Sequence, residues 1–113
     1  MPRPLASAPS IAALVVKPQG VGGADRAIEM IGVARRAGID VIVTSMIDSA
    51  VGVAHAAHVA VACGLAGPHG LATGRLLAHD VADGLPVQDG RLLVPAGPGL
   101  GIGLVSPLAR VAS

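Results

Sequence analysis

The sequence predicts an α/β chain in which strands alternate with helices and run parallel. Three observations carry this. Two apolar runs of strand length, Ile11 to Val16 and Val41-Ile42-Val43, lack polar alternation, as expected of strands covered on both faces. Each is followed by a turn and then by a segment of helix length, and such alternation implies right-handed parallel crossovers. The chain has 113 residues, which suits one domain but falls far short of the roughly 250 residues of a complete eight-stranded barrel. Three parallel strands cannot bury both faces of their own sheet, so the chain reads as a piece of something larger.

Taken in order, residues 1–10 form an irregular lead. After the first strand, Gly20, Gly22 and Gly23 make a turn. Asp25 then stands near the start of a helix reaching about Ala37, where a carboxylate complements the helix dipole. Ile28, Ile31 and Ala34 line one face of that helix, while Arg26, Glu29, Arg35 and Arg36 reach solvent. Gly38 is a stop signal. The second strand ends at Thr44-Ser45, and a turn through Asp48 and Ser49 leads into a helix from about Val51 to Cys63. Gly67 to Leu71 is expected to be a third short strand and Arg75 to Val81 a short helix. Asp89-Gly90 between short apolar runs signals a hairpin, and the Pro/Gly-rich stretch Pro95 to Gly103 should wrap a surface.

Composition narrows the function classes. With 52% hydrophobic and 13% charged residues the chain is too apolar for disorder. It has no Phe, Trp or Tyr, so its core is built from Ala, Val, Ile and Leu, which bury less area each than an aromatic. A net charge of +1, no basic stripe and no stacking aromatics exclude nucleic acid as a partner. Cys63 is the single cysteine, which rules out an internal disulfide and a cysteine-based zinc site and fits a reducing, cytoplasmic setting. The lead has no continuous apolar core before its prolines and does not read as a secretory signal. Ala50 to Gly67 is apolar, but it is short and interrupted by His55 and His58, so it reads as a buried amphipathic helix and not as a membrane span.

The candidate functional residues cluster after the strands. Lys17, the sole lysine, follows Val15-Val16 directly and precedes the glycine turn. In a parallel barrel that end of a strand faces the active site, and an ammonium there serves as acid, base or electrostatic clamp; the alternative is a solvated strand-end lysine. Thr44, Ser45, Asp48 and Ser49 follow the second strand and suit a substrate carboxylate, or, for Asp48 or Ser49, the capping of the next helix. Gly70, in His69-Gly70-Leu71, allows a ligand close to backbone amides or simply ends a strand. His55 and His58 share a helix face with Cys63 nearby, but no fourth ligand has suitable spacing, so they read as surface or core residues. His79 and Asp80 read as a solvated helix end. The run Gly97-Pro98-Gly99-Leu100-Gly101 neither follows an apolar strand nor opens a helix, and so fails as a dinucleotide fingerprint.

Together these segments resemble the C-terminal part of an enolase-superfamily enzyme, in the subgroup that contains muconate cycloisomerase and o-succinylbenzoate synthase. VVKPQGVGG resembles the sixth barrel strand and its turn. VIVTSMIDSAVGVAHAAHVA resembles the seventh strand with its loop and helix, HGLATGRLLAHDV the eighth, and VQDGRLLVPAGPGLGIGL the closing hairpin. The four occur in the family's order and cover about residues 11 to 104. A Gly-Leu-x-Thr without an internal acidic residue is most similar to o-succinylbenzoate synthase; Asp48 stands where most relatives have glutamate.

The resemblance implies the last three strands and helices of a TIM-type barrel over residues 11–84, and a closing hairpin and tail over 85–113. It implies a magnesium-dependent dehydration in menaquinone biosynthesis, in which a proton next to a ring carboxylate is removed and an enediolate forms. Lys17 would be the sixth-strand lysine whose ammonium stabilises that enediolate. Thr44, Ser45, Asp48 and Gly70 would lie near a small carboxylate substrate. The family's magnesium carboxylates, its second-strand lysine pair and its N-terminal capping domain have no counterpart among the seven acidic residues and the single lysine here. The chain alone is therefore expected to be inactive and prone to self-association. Two rivals share the scaffold or the shape: an N-acylamino acid racemase or dipeptide epimerase, and a non-catalytic module that completes a barrel.

Overall fold

The computed structural model describes residues 11–73, 77–97 and 99–102. Its elements are β1 (Ala13–Val16), α1 (Ala24–Arg36), β2 (Asp40–Val43), α2 (Ala50–Ala62), β3 (Val87–Gln88) and β4 (Arg91–Leu92). Strands β1 and β2 pair in parallel, with Leu14 opposite Val41 and Val16 opposite Val43. Because side chains alternate along a strand, this register gives the ribbon two distinct faces. Val16, Val41 and Val43 are buried in one cluster with Ala27, Ile31 and Ala34 of α1 and Val53, Ala57 and Ala60 of α2. Ala13 and Val15 point the other way and are exposed, and Ile42 beside them is half-buried.

Both helices end in the same way. Past α1, Gly38 (φ 73°) follows the cap residue Ala37; its amide donates to Arg35 O at 3.0 Å and that of Ile39 to Ala34 O at 2.9 Å. Past α2, Gly64 (φ 66°) follows Cys63; its amide donates to Val61 O and that of Leu65 to Ala60 O, both at 3.0 Å. These are Schellman endings, which need a left-handed residue and so favour glycine. The Arg35 guanidinium donates to Cys63 O and fastens α1 to the carbonyl end of α2. Strands β3 and β4 pair antiparallel across Asp89-Gly90, both at positive φ, as a two-residue primed turn requires.

The structure departs from the sequence reading at four points. The inward stripe of α1 is Ala27, Ile31 and Ala34, and Ile28 is 44% exposed. Helix α2 is not amphipathic: eight of its 13 residues are buried, because β2, α1 and the later segments enclose it. The third strand is reduced to one parallel bridge, Thr44 to Gly70; Pro68 has no N–H to extend a ladder. Of the expected helix over 75–81, Arg75 and Leu76 lie outside the described residues, and Leu77 to Val81 are not helical. In the Gly-rich tail, Pro98 and Gly103 also lie outside the described residues, while Leu100 O contacts His58 Nε2 at 2.8 Å and holds the tail against α2. No helix among the described residues is long and apolar enough to cross a membrane.

Candidate functional site

The turns leaving β1 and β2 lie at the same end of the ribbon, and the side chains they carry meet. Pro18 is buried, and the turn around it is closed by Val21 N–H donating to Lys17 O at 3.1 Å and Gly23 N–H to Pro18 O at 2.7 Å. This pins the backbone of Lys17 and leaves its side chain exposed. By alternation, Lys17 follows Ala13 and Val15 on the open face, and Thr44 follows Ile42. The two side chains join across the ribbon: Lys17 Nζ donates to Thr44 Oγ1 at 2.9 Å and to Ser45 O at 3.4 Å. The lysine is thus both solvent-accessible and tethered. Both partners are neutral oxygens, and an ammonium has a third hydrogen to offer.

The remaining predicted site residues divide. Thr44 lies beside Lys17, but Ser45 turns away: it is 5% exposed, and its hydroxyl pairs with Thr73 Oγ1 at 2.7 Å. For Gly70 the sequence leaves two roles, a ligand close to its amide or the plain end of a strand. That amide donates to Val43 O at 2.9 Å, and Gly70 O accepts from Ser45 N–H at 3.1 Å, so both groups serve strand pairing. What Gly70 provides is space, because a Cβ there would lie 2.8 Å from Thr44 Cγ2. The glycine is what allows Thr44 its position under Lys17.

Asp48 and Ser49 share the entrance of α2. Ser49 is the N-cap, its hydroxyl accepting from Gly52 N–H at 3.3 Å. Asp48 Oδ1 accepts from Ser49 N–H at 2.7 Å. The first helical amide, Ala50 N–H, is satisfied from 30 residues away by both oxygens of Asp80, at 3.0 and 2.9 Å. Asp80 is therefore not a solvated helix end but an anchor of the segment after Leu71 on the positive end of α2.

The roles of three residues, His69, Thr73 and Asp80, escaped the sequence reading. His69 Nδ1 accepts from Val43 N–H at 3.0 Å, so its proton sits on Nε2, which faces Leu65 O at 3.3 Å. Apart from Leu65 and Val81, the partners of His69, Thr73 and Asp80 are 26 to 30 residues away, and no local pattern announces such pairs. No group of three or more His, Cys, Asp or Glu able to hold a metal exists among the described residues. The arrangement offers one cationic group on an open face, able to stabilise an anionic oxygen or carry a proton.

The model of the family described as enolase C-terminal domain-like matches residues 2–107. No curated protein matches the chain by sequence. Among solved structures, a dipeptide epimerase from Methylococcus capsulatus complexed with Mg ion is similar at 35% identity and a TM-score of 0.81, over 89% of this chain and 30% of that one. A muconate lactonizing enzyme from Klebsiella pneumoniae is similar at 26% identity and a TM-score of 0.78, over 88% and 28%. The N-succinyl Arg/Lys racemase from Bacillus cereus shares the fold at 22% identity and a TM-score of 0.84, over 95% and 29%. The chain spans less than a third of the length of each of these solved enzymes.

Proposed function

The chain belongs to the enolase C-terminal domain-like family and, within the enolase superfamily, to the subgroup of muconate cycloisomerase; from that premise we propose that it forms one wall of a (β/α) barrel enzyme that removes a proton next to a substrate carboxylate. Lys17 is the acting residue. The observation that carries this reading is the tether of Lys17 Nζ to Thr44 Oγ1 on the exposed face of the ribbon, at the end where barrel chemistry is done. An ammonium held there stabilises the enediolate as it forms, or exchanges a proton with the reacting carbon. Thr44 positions the ammonium, and Asp48 supplies a carboxylate at the rim.

The reading extends to an o-succinylbenzoate synthase-like dehydration, in which loss of hydroxide follows proton removal. Its support is the segment His69-Gly70-Leu71-Ala72-Thr73, which carries no acidic residue. A second reading is supported by the 35% identity with the Methylococcus capsulatus dipeptide epimerase: the same proton removal, followed by its return to the opposite face of the carbon. Magnesium ligands, the capping domain and the earlier strands belong in either case to polypeptide outside these 113 residues. No metal ligand is assigned to this chain.

The test is a graft. This chain replaces the corresponding third of the Methylococcus capsulatus epimerase, and deuterium entry at the substrate α-carbon is followed in D2O with Mg2+. Exchange is expected, and Lys17→Met is expected to lower it about 10²–10⁴-fold, the usual range for a positioned acid or base. A folded graft whose exchange is indifferent to Lys17→Met would overturn the reading. Formation of an aromatic product from a succinyl-cyclohexadiene carboxylate, followed by ultraviolet absorbance, separates the dehydration from the epimerisation.

A further inference from the structure

The end of β2 is bonded on both of its edges. Toward β1, Thr44 N–H donates to Val16 O at 3.0 Å. On the other edge the partner is the short segment around Gly70, which forms a single bridge. Gly70 N–H donates to Val43 O at 2.9 Å, and Ser45 N–H donates to Gly70 O at 3.1 Å. That leaves the amide of Val43, and the ring of His69 takes it, Val43 N–H donating to Nδ1 at 3.0 Å. An imidazole thus stands where a continued parallel strand would bring a carbonyl. Val43 is fully buried, so this amide without its acceptor would be a buried orphan, which costs more than an ordinary hydrogen bond. The ring is itself fixed from both sides. With Nδ1 accepting, Nε2 carries the proton and faces Leu65 O at 3.3 Å, just past the end of α2.

We propose that His69 is a positioning residue for Lys17: by accepting Val43 N–H it holds the end of β2 against Gly70, and so fixes the two oxygens, Thr44 Oγ1 and Ser45 O, to which the ammonium is tethered. This rests on the reading of Lys17 as the acting residue and deepens it. The path is continuous. Val43 directly precedes Thr44, the first acceptor of Lys17. Ser45, whose carbonyl is the second acceptor, is bonded through its amide to Gly70, the residue after His69. Without the ring, the segment would hold β2 at one bridge and not at the residue before it, and Thr44 could turn. His69 itself touches no reacting atom. Both of its nitrogens face backbone groups, so neither is offered to a substrate as acid or base.

The experiment uses the full 113-residue chain and two magnetic-resonance readouts: hydrogen exchange at the Val43 amide, and the side-chain Nζ and Cε signals of Lys17, which are unique because the chain has one lysine. His69→Leu keeps bulk and removes the acceptor. It is expected to speed Val43 exchange roughly five- to a hundredfold, the range for a buried donor left unpaired, and to move the Lys17 signals toward those of a free lysine. Exchange at Ala37, past the far end of α1, is expected to stay unchanged. Asparagine places a carbonyl oxygen near the position of Nδ1, whereas glutamine carries its carboxamide one carbon further out. His69→Asn is therefore expected to restore both readouts to near wild type, and His69→Gln to behave like His69→Leu. A ring that only fills space predicts no such order. Lys17 signals unmoved in His69→Leu, even with faster Val43 exchange, overturn the proposal. So does a His69→Asn variant no better than His69→Gln, and this comparison decides the matter if His69→Leu does not fold. No readout needs turnover. A graft indifferent to Lys17→Met beside an intact His69 order in the chain fails the functional reading alone, and a Lys17-dependent graft without that order fails this one.

Discussion

The two faces of the β1–β2 ribbon are made from the same kind of residue and meet opposite fates. On the helix side, Val43 is 0% exposed and packs against both helices; on the other side, Val15, one residue from the buried Val16, is 53% exposed. Met46 and Ile47, in the turn that leaves β2, are exposed as well. Neither composition nor strand propensity separates Val15 from Val43. What separates them is whether the described residues supply a covering layer. The helix side is completed by α1 and α2, which the chain carries. The open side holds Lys17 and Thr44 at its end and apolar residues along its length, and none of the described elements covers it.

The largest test of this contrast is Val43→Ala. Removing two methyl groups from a site enclosed by two helices loses their transfer free energy and leaves a cavity, costing about 2 kcal/mol. Urea denaturation of the chain measures it as a lower midpoint with an unchanged slope. A loss below about 0.5 kcal/mol would mean that the helix side is not the packed face.

Much of the helix side was legible in the sequence because its signals are local. Gly38 marks the end of α1, Asp25 its first turn, and Asp89-Gly90 the hairpin. The apolar runs of β1 and β2 stand out because both faces carry Val, Leu or Ile. For the same reason the sequence could not tell which face would be covered. The site was legible only by position. Lys17 and Thr44 were named because they follow strands, yet their bond crosses 27 residues. For Gly70 the sequence allows either an opening for a ligand or the end of a strand; its amide is used in pairing and its missing side chain makes room for Thr44. Asp80 was read as the end of a helix of its own, when its carboxylate caps α2. In each case the residue type was informative and its partner, fixed by tertiary folding, was not.

An intermediate effect is expected where the open face meets the strand bridge. In Gly70→Ala the new Cβ would lie 2.8 Å from Thr44 Cγ2, so one of them must move. Thr44 is half-buried and borders the uncovered side, so it can swing outward. The cost is then about 1 kcal/mol, at the lower end of overpacking penalties, and it falls on the Lys17 hydrogen bond more than on the core. Nuclear magnetic resonance of the Lys17 side chain would show the loss of a distinct Nζ environment while the melting midpoint shifts modestly. A loss of several kcal/mol would mean that Thr44 is confined from the open side too.

The smallest expected effect is the most telling. Val15→Ala removes the same two methyl groups as Val43→Ala, one residue from the buried Val16, on a strand with the same backbone pairing. Within the isolated chain these methyls leave water only in part, so the expected change in stability is within about 0.5 kcal/mol, as for an ordinary surface substitution. In the graft with a complete barrel, the same substitution should cost about 2 kcal/mol, because the inner wall is then enclosed and a cavity forms. The size of that difference between chain and graft measures how much of the open face a barrel covers. If Val15→Ala costs the same in both, the exposed face is simply a surface, and Lys17 stands at the edge of no cavity.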